Sequence, residues 1–317
     1  MKRVLTGLVI GAVLVVVFLL RELSLYVFDV FMGVVTVVCA MELGKLLLKS
    51  NRDCSVFAIT LFPAFVYLWL LIGISTKQSL LTLLLGFMIC IIVASLVVFI
   101  VYMCQKVKTE ARMQVAEYSG SKAKFCLRST INTAFGLIYP TFFLLLALIF
   151  NHIDAFSQEL TNVSLFTEHN VRLGLIILIA WFGTTMASDV FAYYVGSLFK
   201  GQKLCPKISP NKTISGSIGG FIGSILFAVL AYIILCSNYA IADAFDVIGI
   251  NYFTVIVFGF VSSLVTQFGD LFESSLKRSA GVKDSGNMLP GHGGMLDRCD
   301  GLCFNTLWVL IFFILVL

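Results

Sequence analysis

The segment between residues 270 and 300 concentrates the side chains that could carry out chemistry. It contains the acids Asp270, Asp297 and Asp300, together with a histidine and several lysines and arginines. Carboxylate oxygens suit magnesium, and charged groups of this density beside a membrane are costly unless they serve a function. The segment therefore predicts an enzyme that acts on phosphates. Asp297 and Asp300 share one helical face if the last apolar segment begins here.

The first half of this segment has the spacing of a helix. If the preceding apolar segment continues, one helical face carries four polar residues: Asp270, Ser274, Lys277 and Arg278. A carboxylate, a hydroxyl and two cations would then line one mouth of a site. The alternative is an ordinary helix end, with snorkelling cations and a solvated acid. The spacing alone leaves both interpretations open.

The second half of the segment predicts a tight turn. Pro290, Gly291, Gly293 and Gly294 interrupt the helix, and glycine allows the positive φ that such a turn requires. Successive backbone N–H groups in a turn of this kind can hold an anion. His292 lies between glycines, where it could reach a phosphate. A plain connecting turn with a hydrogen-bonded histidine is the alternative.

A second polar block lies between residues 189 and 220. Asp189 falls within an apolar segment, where an acid needs a partner, water or a metal. Ser209, Lys212 and Thr213 precede a glycine-rich apolar segment. Hydroxyls and a lysine at a helix start could bind a phosphate. A basic loop followed by close helix packing through small residues would explain the same pattern.

Two further acids lie in the second apolar segment. Glu42 is close in sequence to Lys45 and Lys49, which favours a solvated ionic pairing. Asp29 lies deeper in the segment and has no partner that the sequence indicates. An interface or a polar cavity would account for either acid.

Composition indicates which elements must position these residues. The chain has 317 residues, of which 59% are hydrophobic and 12% charged, against about 25% charged in soluble domains. We therefore expect an all-α, polytopic integral membrane protein, since a helix needs about 20 apolar residues to cross a bilayer. Nine membrane-spanning helices are predicted, at residues 4–20, 25–44, 55–75, 80–103, 133–150, 173–198, 218–236, 251–269 and 303–317.

The distribution of lysine and arginine predicts the orientation. With the N-terminus in the cytosol, only Arg21, Lys77 and Arg172 of the 22 basic residues lie outside. Both polar blocks then face the cytosol. We expect residues 1–131 to form N-terminal membrane helices with a cytosolic basic linker, 104–131, that lies on the inner leaflet. Residues 132–317 would form the catalytic membrane domain, which carries the motifs 189–220 and 270–300.

These motifs resemble the signature of a known family. The run from Ser274 to Arg278, Lys283-Asp284, the Pro290–Gly294 turn and Asp297-Arg298-Cys299-Asp300 are similar to that of bacterial-type phosphatidate cytidylyltransferases. Ser209-Pro210 and Lys212-Thr213, with Asp189 and Gly196 upstream, resemble a second family block. The chain departs from the family pattern at Ser197, Lys200-Gly201, Ile214-Ser215 and Cys299, which puts in doubt the substrate contacts around 197–215.

The resemblance implies a reaction and a set of roles. The family joins CTP to phosphatidate, giving CDP-diacylglycerol and pyrophosphate, with Mg²⁺ as cofactor. Implied metal ligands are Asp270, Asp297 and Asp300. Implied catalytic residues are Asp270, Lys277, Arg278, His292, Asp297 and Arg298. Implied substrate-binding residues are Asp189, Ser209, Lys212, Thr213, Ser274, Lys283, Asp284, Gly293 and Gly294.

The resemblance also implies a location and partners. We expect a multi-pass protein of the bacterial cytoplasmic (inner) membrane, with its active site facing the cytosol and no nucleic-acid partner. The oligomeric state is open, although helix starts rich in small residues would suit a homodimer.

Two other classes of membrane protein were compared with these motifs. A CDP-alcohol phosphotransferase is rejected, because Cys303-Phe304 occupy its Ala-Arg positions and no acid follows Asp300. An ion-coupled transporter could use Asp29, Asp189 and Asp270 as a relay, but such proteins are built from internal repeats, and none is evident here. Stabilisation by CTP with magnesium would distinguish an enzyme from a transporter.

Overall fold

The computed structural model describes residues 2–115, 120–156, 163, 166 and 171–316. Helices account for most of this part of the chain. Their bounds are α1 Lys2–Arg21, α2 Leu25–Lys49, α3 Val56–Ser75, α4 Leu80–Cys104, α5 Lys106–Val115, α6 Lys122–Ile138, α7 Thr141–Asn151, α8 Leu173–Phe199, α9 Ile214–Leu235, α10 Tyr239–Val247, α11 Tyr252–Ser279 and α12 Leu296–Val316. A short 3₁₀ turn covers Ile153–Phe156, and two strands, β1 Lys203–Cys205 and β2 Ser209–Thr213, pair antiparallel.

The predicted all-α polytopic membrane fold is confirmed. Within the described residues, eight apolar stretches are long enough to cross a membrane, and a shorter one covers Val9–Arg21 of α1. The count of nine spans and the cytosolic N-terminus stay predictions. The hairpin of β1 and β2 is an element that the sequence analysis did not predict.

Several helices begin earlier or end later than the periodicity indicated. α6 begins at Lys122, inside the predicted linker 104–131, and the apolar stretch that it starts runs to Asn151. Pro140 separates α6 from α7, because proline lacks the N–H that a helix interior requires. α11 continues to Ser279, beyond the predicted end at residue 269, so its polar residues do have the helical spacing that depended on this continuation. α12 begins at Leu296, which places Asp297 and Asp300 in its first turns.

The chain forms two compact units that are discontinuous in sequence. Unit 1 comprises Met1–Leu145 and Leu276–Arg298, and unit 2 comprises Leu146–Ser275 and Cys299–Leu317. The boundaries between units therefore fall within α11 and α12. The sequence analysis divided the chain by function, into residues 1–131 and 132–317, whereas these units are defined by compactness. The functional division therefore stays a prediction.

Unit 1 is built around α2 and the helices that pack on it. The inner face of α2 is mainly apolar, with fully buried residues such as Phe28 and Leu43, and it also buries the acids Asp29 and Glu42. α3 packs against α2 and α4 against α6. At one end of this unit, Arg112 of α5 donates to the Tyr102 hydroxyl (2.6 Å) and lies 3.7 Å from Asp53. These contacts attach the short basic helix α5 to α4 and to the loop that follows α2.

Unit 2 is built on the close packing of α8 against α9. A Cβ at Gly219 would lie 2.5 Å from Val195, so only glycine allows this approach. Two buried side chains link α8 and α12 by hydrogen bonds: Trp181 donates to the Leu302 carbonyl (3.1 Å), and Asn305 donates to Thr185 (2.8 Å). Such pairing is what polar groups inside a membrane require. It fixes α12 beside α8 within this unit.

Candidate functional site

In unit 1, the connection between α11 and α12 folds into a tight turn. We call residues 285–294 the glycine turn. Gly291 has φ +77° and Gly293 has φ +86°, a region that L side chains rarely adopt. The Leu289 N–H donates to the Gly293 carbonyl, and the His292 N–H donates back to the Leu289 carbonyl, both at 2.9 Å. The predicted break in the helix and the glycine-dependent turn are confirmed.

Asp297 of α12 is the acceptor that organises this turn. Its Oδ2 accepts from the Ser285 N–H (2.8 Å), the Gly294 N–H (2.8 Å) and the Ser285 hydroxyl (3.0 Å). Its Oδ1 accepts from Lys277 of α11 at 2.6 Å. The Asp297 side chain is only 4% exposed and that of Lys277 only 10%. Both oxygens of this carboxylate are therefore engaged by the protein itself.

Glu42 of α2 lies against the same turn. It is 4% exposed, and its Oε2 accepts from the Leu296 N–H (2.9 Å) and the Ser285 hydroxyl (3.2 Å). The solvated pairing with Lys45 and Lys49 is therefore wrong. The first N–H groups of a helix have no partner within the helix, and a carboxylate is stabilised at this positive end. Glu42 thus caps α12 from a distant part of the sequence.

The exposed rim of the glycine turn carries cations. Arg298 donates to the His292 carbonyl (3.1 Å), and Arg278 donates to the Val282 carbonyl (3.0 Å). Both arginine side chains are exposed, as are Lys283 and Asp284. The His292 Nδ1 is buried and has no hydrogen-bond partner among the described residues. The predicted basic residues thus lie on or beside the turn, together with a histidine that has one buried nitrogen without a hydrogen-bond partner among the described residues.

Unit 2 contains the other predicted acids. Asp270 of α11 accepts from Lys212 of β2 at 2.9 Å, and their side chains are 20% and 29% exposed. A Cβ at Gly301 would lie 3.2 Å from the second oxygen of Asp270, so the absence of a side chain there leaves room beside this carboxylate. Asp300 is half-buried and accepts from the Gly301 N–H (2.9 Å). No three metal-ligating acids, histidines or cysteines converge within the ranges that the structure describes.

The remaining predicted residues have varied surroundings. Thr213 caps α9, since its hydroxyl accepts from the Gly216 N–H at 3.1 Å, a structural role in addition to any binding role. Ser209, Ser274 and Asp189 are half-buried on β2, α11 and α8. At the departures from the family pattern, Ser197 bonds the Tyr194 carbonyl and Ser215 the Lys200 carbonyl, so these residues form local bonds.

Three residues, two in unit 1 and one in unit 2, were missed or misread from sequence. Ser285 joins Glu42 to Asp297, but a serine in a loop gives no signal by itself. Glu273 of α11 is fully buried, three residues after Asp270. An acid within a membrane helix is a functional candidate, so that signal was present in the sequence. The role of Glu42 depends on long-range contacts.

Comparison with known proteins identifies relatives. A model described as "Cytidylyltransferase family" matches residues 1–316. The phosphatidate cytidylyltransferase of Thermotoga maritima is 38% identical over 160 residues, which are 49% of this chain and 57% of that protein. That of Brucella abortus is 41% identical over 129 residues, 41% of this chain and 43% of that protein. The phosphatidate cytidylyltransferase 4, chloroplastic, of Arabidopsis thaliana is 41% identical over 133 residues, which are 42% of this chain and 31% of that protein. The chain spans about half the length of the curated relatives it matches.

Proposed function

Because the chain belongs to the cytidylyltransferase family, we propose that it transfers the CMP group of CTP to phosphatidate, giving CDP-diacylglycerol and pyrophosphate. The names of the relatives support this pair of substrates. The observation that carries the proposal is the glycine turn, which Asp297 holds through three hydrogen bonds and beside which lie exposed arginines and His292. This arrangement suits a triphosphate.

The chemistry requires charge neutralisation more than proton transfer. A phosphatidate oxygen, already ionised near neutral pH, attacks the α-phosphorus of CTP. A new P–O bond forms, the bond to the bridging oxygen of the β-phosphate breaks, and pyrophosphate leaves with that electron pair. Since both reactants are anions, their repulsion must be offset by positioned cations. Arg298 and His292 would contact the phosphates, and Lys277 would act by holding Asp297 in place.

We propose Mg²⁺ as the cofactor, with Asp270 and Asp300 as its carboxylate ligands. Hard oxygen donors suit this ion, and Gly301 leaves room beside Asp270. The buried Thr266 hydroxyl nearby has no hydrogen-bond partner among the described residues. When bound, Mg²⁺ supplies charge neutralisation at phosphate oxygens. Asp297 as a third ligand stays a prediction, because Lys277 already holds its Oδ1.

The location follows from the two substrates. CTP is soluble and phosphatidate lies in the bilayer, so the reaction belongs at a membrane surface. We propose the cytosolic face of a bacterial inner membrane, which agrees with the predicted excess of basic residues on that side. The homodimer stays a prediction.

The experiment that tests the function follows labelled CTP into lipid. Purified protein in lipid-containing micelles receives phosphatidate, labelled CTP and magnesium. Wild type should form labelled CDP-diacylglycerol, and Asp297→Asn should lose at least about 100-fold in rate, because the turn loses its charged acceptor. Asp246→Asn, an exposed acid on α10, is the matched control and should retain activity.

Other outcomes contradict specific parts of the proposal. No labelled lipid with wild type would refute the reaction. Full activity in Asp297→Asn would keep the reaction and refute the role given to the turn. An inactive protein that CTP and magnesium do not stabilise against heating would favour the transporter, because a ligand that binds the native state raises its stability.

A further inference from the structure

Glu42 is a buried acid whose hydrogen bonds go to the glycine turn and to the first residue of α12. In the described part of the chain, no lysine or arginine forms an ion pair with it, and its partners are the Leu296 N–H and the Ser285 hydroxyl. Burial of a charged group is costly unless it is paired or hydrogen-bonded. If this position served packing alone, an apolar side chain would fill it without the free-energy cost of burying a carboxylate. The hydrogen bonds that the Glu42 carboxylate accepts from Leu296 and Ser285 are therefore the reason for an acid here.

The turn is shaped to receive this carboxylate. A Cβ at Gly286 would collide with Glu42 Oε1, and a Cβ at Gly294 would collide with Glu42 Oε2. Neither glycine has a positive φ, in contrast to Gly291 and Gly293. Their lack of a side chain is therefore required by the close approach of Glu42 and not by backbone conformation. Two glycines of the turn thus serve its conformation and two serve its contact with α2.

Ser285 links Glu42 to Asp297. Its hydroxyl lies 3.2 Å from Glu42 Oε2 and 3.0 Å from Asp297 Oδ2. A hydroxyl has a single proton to donate, so the two carboxylates share one donor. Movement of Glu42 therefore changes both the hydrogen bonding of Asp297 and the start of α12, to which Asp297 belongs.

We propose that Glu42 is a positioning residue for cytidylyl transfer: through Ser285 and the Leu296 N–H, it holds the glycine turn and Asp297 in the arrangement that binds the triphosphate of CTP. This inference rests on the proposed function and adds a residue of α2 to it. Glu42 contacts neither substrate in this account. Its loss affects CTP, which the turn binds, more than phosphatidate, whose acyl chains the bilayer holds.

Kinetics of five proteins test the proposal: wild type, Glu42→Gln, Glu42→Ala, Ser285→Ala and the double variant Glu42→Ala/Ser285→Ala, each corrected for the folded fraction. Removal of a residue that orients another typically costs about 10–100-fold in activity or affinity. We expect Glu42→Ala to lower kcat/KM for CTP by that factor, with KM for phosphatidate within about twofold of wild type. Glu42→Gln, which keeps an acceptor oxygen in place, should restore part of the loss. Because Glu42 acts through Ser285, Glu42→Ala combined with Ser285→Ala should lose less than the product of the single losses.

Amide hydrogen exchange in the absence of substrate gives a second readout. Exchange at Ser285, Gly294 and Leu296 should quicken in Glu42→Gln, while the Ile59 amide in the core of α3 stays protected. If Glu42→Ala does not fold, Glu42→Gln decides the outcome. Wild-type kinetics and wild-type exchange in that variant would overturn the proposal, as would equal losses for CTP and phosphatidate. An inactive wild type would instead overturn the proposed function, so the two failures differ.

Discussion

Lys277 Nζ lies 2.6 Å from Asp297 Oδ1, and both side chains are almost completely buried. This ion pair joins the last turn of α11 to the first turn of α12 across the connection that forms the glycine turn. Removal of one partner of a buried pair leaves an uncompensated charge and typically costs about 3–5 kcal/mol. The pair therefore has consequences for stability that can be separated from those for catalysis.

Lys277→Met should destabilise the protein by about 3 kcal/mol, since the Asp297 carboxylate loses its cation. The double variant Lys277→Met/Asp297→Asn should recover at least half of this loss, because the remaining side chain is neutral and still accepts from the turn amides. Unfolding in mixed detergent micelles measures the free energy of unfolding of both variants. Activity should stay low in the double variant. Recovery of activity together with stability would show that the pair serves the fold alone.

The pair of Lys212 and Asp270 in unit 2 should behave differently. It is partly exposed, and exposed ion pairs contribute only about 0–1 kcal/mol. Lys212→Ala should therefore change unfolding little, but if this lysine binds phosphate as the family resemblance implies, cytidylyl transfer should fall by about 100-fold. Lys207→Ala, an exposed lysine between β1 and β2, is the control. Equal effects of the two substitutions would mean that Lys212 contributes only general positive charge.

Gly294→Ala should disrupt the turn, because the added methyl would collide with Ser285 and Glu42. We expect at least about a 10-fold loss of kcat/KM for CTP, the size typical of a displaced orienting group. Gly11→Ala on α1 is the matched substitution, since no atom lies within 4 Å of the added Cβ. It should leave activity unchanged. Wild-type kinetics in Gly294→Ala would show that the turn tolerates displacement.

Cys54, in the loop after α2, should be an unreactive thiol. Burial raises its pKa to about 12, with Asp53 adding to the shift. The thiolate is the nucleophile, so maleimide should label Cys54 at least about 100-fold more slowly in the folded protein than in the unfolded chain. Its contribution to stability is complete below the unfolded-state value of 9.0 and is lost as pH rises towards 12. Mass spectrometry of labelled peptides at pH 8 measures the rate. Rapid labelling of Cys54 would contradict its burial, and Cys104, which is exposed, provides the comparison.

Local signals accounted for the elements around the turn. The eighth span was predicted to end at residue 269, and helical spacing left open the continuation past Asp270 that α11 shows. Glycines with proline predicted the break that follows. The last span was predicted at residues 303–317, and Asp297 and Asp300 share a helical face only if it begins earlier, as α12 does at Leu296. These features depend on residues a few positions apart, which is the range over which periodicity and turn chemistry operate.

Contacts between residues far apart in the sequence could not be predicted from such local signals. Glu42 lies 243 and 254 residues from its partners Ser285 and Leu296, whereas Lys45 and Lys49 are near it in sequence and suggested a local pairing. The hairpin of β1 and β2 was missed because its strands are three and five residues long, contain Pro210 and lack alternating apolar residues. Such strands give no periodic signal.

The cap that Glu42 provides for α12 also has a consequence for synthesis. Translation proceeds at roughly 5–20 residues per second, so the ribosome completes Glu42 about 13–50 s before Leu296, 254 residues later. During that interval, α2 carries a carboxylate whose final partners do not yet exist. A nascent chain that stalls before Ser285 therefore contains a Glu42 carboxylate without its amide and hydroxyl donors.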